Sequence, residues 1–361
     1  MANIMSRGRV VFLSLAILVG ALNSGFLAEL GLFAFMDDLD IPGAGRLFQG
    51  LVPAFHRGTP WGFTPEMMPD LSGKVVIITG ANVGLGYWTA YHIAAANGTA
   101  ILACRTMSRC VAAAESITDG MGGIAIPMEL DLASFASVRN FVQLFLKDHS
   151  FVDSLILNAG LYHTPFELTA EGLELQIGTN HFGHFLLAEL LTPILKTTAK
   201  AKGSATVVIV SSTLHRFSYP EGILPTIDAM TDVQLYDPHM AYGQSKLANI
   251  FHAQELAARL NSSGVLVNAV HPGFAQTRSL RYSSSWLEKL LQDNAGWHPR
   301  DAAWSQVCLA VAPAILEQKV TGKYFHPIAR EAVPHPHAQN LSLQTLLWNL
   351  SSAFIAEHGR C

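Results

Sequence analysis

From Lys74 onward the apolar positions fall into two alternating kinds. Val75-Val76-Ile77-Ile78 is short and β-branched, whereas the stretch around Trp88 to Ala96 is longer and places its apolar residues at helical spacing. Short runs recur at Ala100 to Cys104, Ile124 to Leu130, Ser154 to Leu157, Thr206 to Val210, Val265 to Val270 and Lys323 to Phe325, with helices in the gaps. This alternation predicts βαβ units and a parallel sheet. With about seven strands, no internal repeat and no low-complexity tract, the simplest α/β architecture is a single doubly wound Rossmann domain over residues 71–330. Residues 331–361 are then a C-terminal extension packing on it.

The amino terminus follows a different pattern. Val10 to Ala28 runs without a charge, and the apolar character resumes after Glu29 as far as Met36. A helix that spans a bilayer needs roughly 20 residues. Two readings stand: a signal anchor within residues 1–36, and a cleaved targeting peptide whose apolar region ends near Asn23, Ser24 and Gly25. The first predicts a single-pass protein of the endoplasmic reticulum or another organelle membrane. Pro42, Gly43, Gly45, Pro53, Pro60, Pro65 and Pro69 make residues 37–70 a structure-breaking linker. Arg7 and Arg9 precede the apolar run and Asp37, Asp38 and Asp40 follow it, but Arg46 and Arg57 dilute the charge asymmetry and leave orientation open.

Composition narrows the partners. A chain of 361 residues with 50% hydrophobic content can bury a substantial core. Charged residues make up only 14% and the net charge is -4, so no basic surface is present to release counterions from a nucleic acid. Cys104, Cys110, Cys308 and Cys361 form no CxxC pair and no zinc spacing with histidine, which makes them ordinary thiols on this reading and predicts no metal.

The first strand runs into Thr79-Gly80-Ala81-Asn82-Val83-Gly84-Leu85-Gly86, a glycine-rich turn that opens directly into a helix. Glycines there permit a tight turn and let backbone approach a pyrophosphate, which rests on free amides at the helix N-terminus. The alternative is a glycine-rich turn without a ligand. At the end of the second strand, where an acidic residue suits an unphosphorylated ribose, the chain reads Ala103-Cys104-Arg105. A cation suits a 2′-phosphate, so Arg105 points to NADP(H) rather than NAD(H) unless it is simply a solvated loop arginine. Asp131, followed by Leu132 after the third strand, has two readings: an acceptor for an adenine amino group, or a cap for the helix beginning near Ser134.

Tyr242 and Lys246 lie four residues apart in Ala241 to Leu260, whose Leu247, Ile250, Phe251, Leu256 and Leu260 recur with helical period. Both side chains therefore share one helix face. A tyrosine titrates near pH 10 when unperturbed, and an adjacent ammonium favours its phenolate. Upstream, the strand Thr206 to Val210 leads into Ser211-Ser212 at the carboxyl edge where open α/β sheets place their ligands. Ser212 can donate to a carbonyl oxygen. Asn180 lies in an apolar helical stretch, where a buried amide needs partners, while His181 and His184 read as ordinary packing.

Together the TGxxxGxG turn, Asn158-Ala159-Gly160, Asn180, Ser212, Tyr242 with Lys246, and His271-Pro272-Gly273 followed by Thr277 resemble the short-chain dehydrogenase/reductase family over about Leu71 to Phe325. The local wording is closest to its retinol dehydrogenase-like and WW-domain-oxidoreductase-like branch: Leu102 to Arg105, Thr179 to Leu187, Ala310 to Pro313, Gly322 to Phe325, and Leu346 to Ser351. The resemblance implies that Ser212 and Tyr242 polarise and protonate a carbonyl while Lys246 holds the nicotinamide ribose and lowers the Tyr242 pKa. Asn180 would hold a water in the proton relay, Asn158 would support the central strand, Asp131 would meet the adenine, and Thr277 the nicotinamide carboxamide. Gly80, Asn82, Gly84, Leu85, Gly86, Arg105, Leu132, Ala159, Gly160, Pro272 and Gly273 would complete the cofactor site.

The expected function is transfer of hydride between nicotinamide and the carbonyl or alcohol of an apolar small molecule, retinoid-, steroid- or lipid-like. Leu280, Tyr282, Trp286, Leu287, Leu290, Leu291 and Trp297 give the segment expected to cover the pocket its apolar character. Two other readings are a protochlorophyllide reductase-like enzyme, disfavoured by Leu247-Ala248-Asn249 after the lysine, and a non-catalytic anchored nucleotide sensor or scaffold. A homo-oligomer is compatible with all of them.

Overall fold

The computed structural model describes residues 65–119, 123–275 and 297–358. The apolar run Val10 to Ala28, Thr277 and residues 279–296 of the expected pocket cover lie outside the described residues. Among those described, no helix is long and apolar enough to cross a membrane.

Strand β1 (Val75–Thr79) is followed by α1 (Gly84–Ala95), β2 (Thr99–Cys104), α2 (Met107–Thr118), β3 (Ile124–Glu129), α3 (Phe135–Asp148) and β4 (Ser154–Leu157). Then come α4 (Gly183–Lys202), β5 (Ala205–Val210), α5 (Pro238–Arg259), β6 (Val265–Val270), α6 (Trp304–Val311), β7 (Tyr324–His326), β8 (Arg330–Ala332) and α7 (Leu341–Glu357). The sheet order is β3-β2-β1-β4-β5-β6-β7-β8. All neighbours pair in parallel except β7 with β8, which are antiparallel.

The sheet has eight strands rather than the expected seven or so. The additional one, β8, is three residues long with two exposed positions, so it leaves no apolar run to read. The seven expected strands are present and the doubly wound arrangement holds.

Alternate positions along each strand serve opposite faces, as the pleat requires. Ile77, Leu155, Leu157, Val207 and Ile209 join one core, where α3, α4, α5 and α7 contribute Phe141, Phe185, Phe251 and Trp348. Val76, Ile78, Leu102, Ile156 and Val208 join the other, with Ile93, Ile117, Val307 and Leu309 from α1, α2 and α6. Covering both faces explains why the strands read as unbroken apolar runs. Each fully buried aliphatic side chain contributes about 1.5 to 3 kcal/mol relative to exposure.

The order reverses between β1 and β4, which opens a crevice at their carboxyl ends. The glycine-rich turn after β1 and the Asn158-Ala159-Gly160 segment after β4 both border it. Two close approaches hold this region together. A Cβ on Gly80 would come within 3.0 Å of Ala159, and one on Gly183 would collide with the Leu132 backbone oxygen.

Cys104 and Cys110 correct the reading of all four cysteines as ordinary thiols, because the structure joins them as a disulfide, with Cα atoms 5.8 Å apart. The tight β2–α2 turn folds the first part of α2 back over the strand end, which sequence spacing alone does not reveal. Cys308 is free and buried, and no group of His, Cys, Asp and Glu among the described residues could hold a metal.

Candidate active site

The glycine-rich turn adopts left-handed backbone at Gly80 (φ 66) and Gly84 (φ 62), where a side chain would be strained. A Cβ on Gly86 would meet the Gly80 oxygen at 2.5 Å and Asn158 Nδ2 at 2.6 Å, so helix and turn close up only with glycine there. Asn82 and Leu85 flank these glycines at the mouth of the crevice and are partly exposed. Helix α1 begins at Gly84 with Val83 as its N-cap and no side-chain cap. By contrast α3, α5 and α7 are capped by Ser134, Asp237 and Asn340. The first amides of α1 are therefore open to an anionic group such as a pyrophosphate.

Arg105 is exposed immediately beyond β2, on the turn closed by the Cys104–Cys110 disulfide. Asp131 Oδ1 accepts from the Ala133 backbone amide at 3.0 Å. The cap of α3 is Ser134, whose side chain accepts from Ser137 N, so Asp131 shapes the turn before the helix rather than capping it. Asn158 Nδ2 donates to Thr79 O at 2.8 Å, and its Oδ1 accepts from Gln306 Nε2 at 3.2 Å, tying β1, β4 and α6 together. A Cβ on Gly160 would come within 3.2 Å of Lys246 Nζ and 3.5 Å of Asn180 Oδ1, so this glycine keeps open the space beside both groups. Pro272 and Gly273 follow β6, and a Cβ on Gly273 (φ 94) would meet Trp297 at 2.9 Å.

Helix α5 carries Tyr242 and Lys246. Asp237 caps its start, accepting from His239 N and Met240 N at 2.9 and 2.8 Å, with Pro238 at the first helical position. Lys246 is 3% exposed, and its Nζ donates to Val210 O at 3.1 Å. The ammonium lies 5.5 Å from the centre of the Tyr242 ring. An ammonium has three donor hydrogens. With a single protein acceptor among the described residues, Nζ keeps capacity for a ligand such as a ribose. Burial pulls Lys246 down to about 8.

Burial pushes the Tyr242 phenol up to about 12, and a hydrogen bond with the Ser212 side chain partly opposes this. Burial thus sets the net direction for the phenol, while the Lys246 ammonium stands over its ring. Ser212 follows β5 and caps the short helix Thr213–Phe217, its Oγ accepting from Leu214 N at 3.2 Å. Its hydroxyl hydrogen stays available to a second partner.

Asn180 is wholly buried within a π-helical turn, Gly178–Phe182, just before α4. Such turns interrupt the regular ladder of helix hydrogen bonds. Its side chain is committed to protein: Oδ1 accepts from Leu161 N at 2.7 Å, and Nδ2 donates to Leu161 O and Ser245 Oγ, both at 2.9 Å. Ser245 Oγ in turn donates to Tyr242 O at 2.8 Å. The structure thus brings together Asn180, Ser212, Tyr242 and Lys246.

Sequence reasoning missed three neighbours of this group. Thr79 bridges the strand ends, Tyr162 sets its ring edge-to-face on Tyr242 at 4.6 Å, and His184 lies behind Asn180. The spacing of four between Asn180 and His184 was the available signal.

Residues 74–224 match the family model of the short chain dehydrogenases. The chain is 35% identical over 328 residues to retinol dehydrogenase 14 of Mus musculus, covering 86% of this chain and 93% of that protein. It is 37% identical over 293 residues to retinol dehydrogenase 13 of Homo sapiens, covering 79% and 85%. A solved structure of an uncharacterized protein from Mycobacterium paratuberculosis shares the fold at 32% identity and a TM-score of 0.62, over 81% of this chain and 97% of that one. The chain belongs to the short-chain dehydrogenase family, and within it to the retinol dehydrogenase-like branch.

Proposed function

We propose that the protein is an NADP(H)-dependent oxidoreductase acting on the carbonyl or alcohol of an apolar small molecule, with Tyr242 as the proton donor and acceptor. The observation that carries this reading is the meeting of a protonated, desolvated phenol with Ser212 and a buried Lys246 beside the crevice. A binding module has no need for a titrating hydroxyl held in this way, which disfavours a non-catalytic sensor or scaffold.

The cofactor reading is supported by the uncapped start of α1, the glycine backbone that a Cβ would block, and the spare donor capacity of Lys246. Gly80, Asn82, Gly84, Leu85 and Gly86 would seat the pyrophosphate, Asp131 and Leu132 would flank the adenine, and Asn158, Ala159 and Gly160 with Lys246 would border the nicotinamide ribose. Pro272, Gly273 and Thr277 would meet the nicotinamide, and Arg105 would face the 2′-phosphate. When bound, the nicotinamide would supply the hydride in reduction and take it up in oxidation.

The chain's own residues handle the oxygen and its proton. In reduction, Ser212 donates a hydrogen bond to the substrate carbonyl oxygen and Tyr242 gives that oxygen its phenolic proton. In oxidation the phenolate takes the alcohol proton back. Lys246 places positive charge beside the phenolate while it exists. The edge-to-face ring of Tyr162 supports the Tyr242 ring, and the apolar character of Leu280, Tyr282, Trp286, Leu287, Leu290 and Leu291 in the sequence suits an apolar substrate. The names of the retinol dehydrogenase relatives support the same class.

Membrane attachment through Val10 to Ala28 belongs to this proposal and rests on the uncharged run alone. It is checked by carbonate extraction: the full chain should stay with membranes, while a mature protein beginning near Phe26 would exclude the anchor. Substrate class is checked by presenting retinoid, steroid, fatty aldehyde and isoprenoid carbonyls and following NADPH absorbance. Turnover confined to polar carbonyls would contradict it.

A further inference from the structure

His184 is completely buried and joins two parts of the site that are far apart in sequence. Its Nε2 is 2.8 Å from Thr79 Oγ1, and its Nδ1 is 3.0 Å from the backbone oxygen of Asn180. Thr79 Oγ1 also accepts from the backbone amides of Asn158 and Ala159, each at 2.9 Å.

These contacts fix where the protons lie. A hydroxyl oxygen offers two acceptor sites and one hydrogen. With both acceptor sites taken, the Thr79 hydrogen points to His184 Nε2, which must be the unprotonated nitrogen. Nδ1 then carries the ring proton and donates it to the Asn180 carbonyl, which can only accept. Burial acts in the same direction by lowering the His184 pKa to about 3, and the charge of Lys246 further disfavours a cationic ring.

The neighbouring histidines set the contrast. Among the described residues, His181 uses Nε2 on Ser351 Oγ at 2.8 Å but leaves Nδ1 without a partner, and neither nitrogen of His252 has one. Those two rings pack. The ring of His184 is wired at both ends, between the residues that seat the cofactor turn and the turn that carries Asn180.

We propose that His184 is a positioning residue, a neutral ring protonated on Nδ1 that couples Thr79, and through it Asn158 and Ala159, to the Asn180, Ser245 and Tyr242 side of the catalytic centre. The inference deepens the oxidoreductase reading and rests on it. His184 touches neither reacting partner and acts through the two groups it holds. Its Thr79 arm steadies the cofactor seat, and its Asn180 arm steadies the residues that align Tyr242.

The two arms can be separated. His184→Asn keeps a donor near the position of Nδ1 and loses the Thr79 arm, whereas His184→Gln keeps a polar atom near Nε2 and loses the Asn180 arm. On the full chain in detergent, the readouts are the His184 tautomer by nitrogen-15 NMR, NADPH affinity by fluorescence, and kcat with all-trans-retinaldehyde as probe. The ring should be protonated on Nδ1 and unchanged from about pH 5 to 8, as its two fixed partners require. His184→Asn should weaken NADPH up to about tenfold with kcat nearly kept, and His184→Gln should lower kcat up to about tenfold with NADPH affinity nearly kept, the scale of one positioned hydrogen bond. A ring protonated on Nε2, equal effects of the two variants, or a lowered melting temperature with both parameters unchanged would each overturn the proposal. If neither variant folds, Thr79→Val decides it: weaker NADPH binding with a shifted Nε2 resonance supports the coupling, and an unmoved resonance overturns it. Tautomer and NADPH affinity need no substrate, so a chain inactive toward retinaldehyde revises the substrate class and leaves this inference decided.

Discussion

Lys246 Nζ lies 5.5 Å from the centre of the Tyr242 ring, one helical turn along α5, and is anchored to Val210 O at 3.1 Å. The carbonyl of β5 thus holds the ammonium against the ring face. Burial moves the two groups apart, the phenol up to about 12 and the ammonium down to about 8. Both keep their protons at neutral pH, and the centre is set to give a proton to a carbonyl oxygen.

A pH dependence follows. Carbonyl reduction needs the protonated phenol, which persists until pH rises to about 12, and the charged Lys246, which is lost as pH rises through about 8. The value of kcat/KM for reduction should be level up to neutrality and fall through about pH 8. A pH–rate profile between about pH 6 and 9 checks this. A reduction rate that climbs across that interval would contradict the assignment.

Arg105 stands exposed just beyond β2 with no acidic residue next to it in the chain. Arg105→Asp should weaken NADPH by about tenfold or more, corresponding to the roughly 1.5 to 3 kcal/mol of a charge-assisted hydrogen bond, and should spare NADH. Titration of both cofactors measures it. Equal losses would reject the 2′-phosphate role.

Glu174 is buried where it caps the turn leading to Asn180, accepting from Gln176 N at 2.7 Å and Ile177 N at 3.0 Å. Burial raises its pKa from 4.5 to about 7, and those two hydrogen bonds only partly offset the shift. A folded pKa above the unfolded one means stability that is complete below about 4.5 and lost as pH rises through about 7. The difference in unfolding free energy between the parent and Glu174→Gln should therefore move against the parent by at most about 3 kcal/mol over that interval. Urea unfolding of both at pH 4.5 and 7.5 tests it, and parallel stabilities would show that Glu174 does not titrate in this way.

The strands and the catalytic helix were legible because their signals are local. Val75 to Ile78 is apolar at every position since both sheet faces are covered, and Tyr242 and Lys246 share a face because four residues make about one helical turn. What the chain order hid depends on long-range closure. β8 is short and mostly exposed, and the Cys104–Cys110 disulfide follows from a turn geometry. The role of His184 needed Thr79, which lies 105 residues away in sequence. The direction of the Tyr242 shift could not be read either, because desolvation is set by the whole fold rather than by the neighbouring lysine.

The central claim is that the Tyr242 hydroxyl moves the proton. Tyr242→Phe removes that hydroxyl and leaves the ring packed against Tyr162 and beneath Lys246. General acid catalysis is worth about 10² to 10⁴-fold, so kcat for NADPH-dependent reduction should fall by at least about a hundredfold while NADPH affinity stays nearly unchanged. Near-normal turnover in Tyr242→Phe, on any carbonyl that the parent reduces, would show that Tyr242 is not the acid.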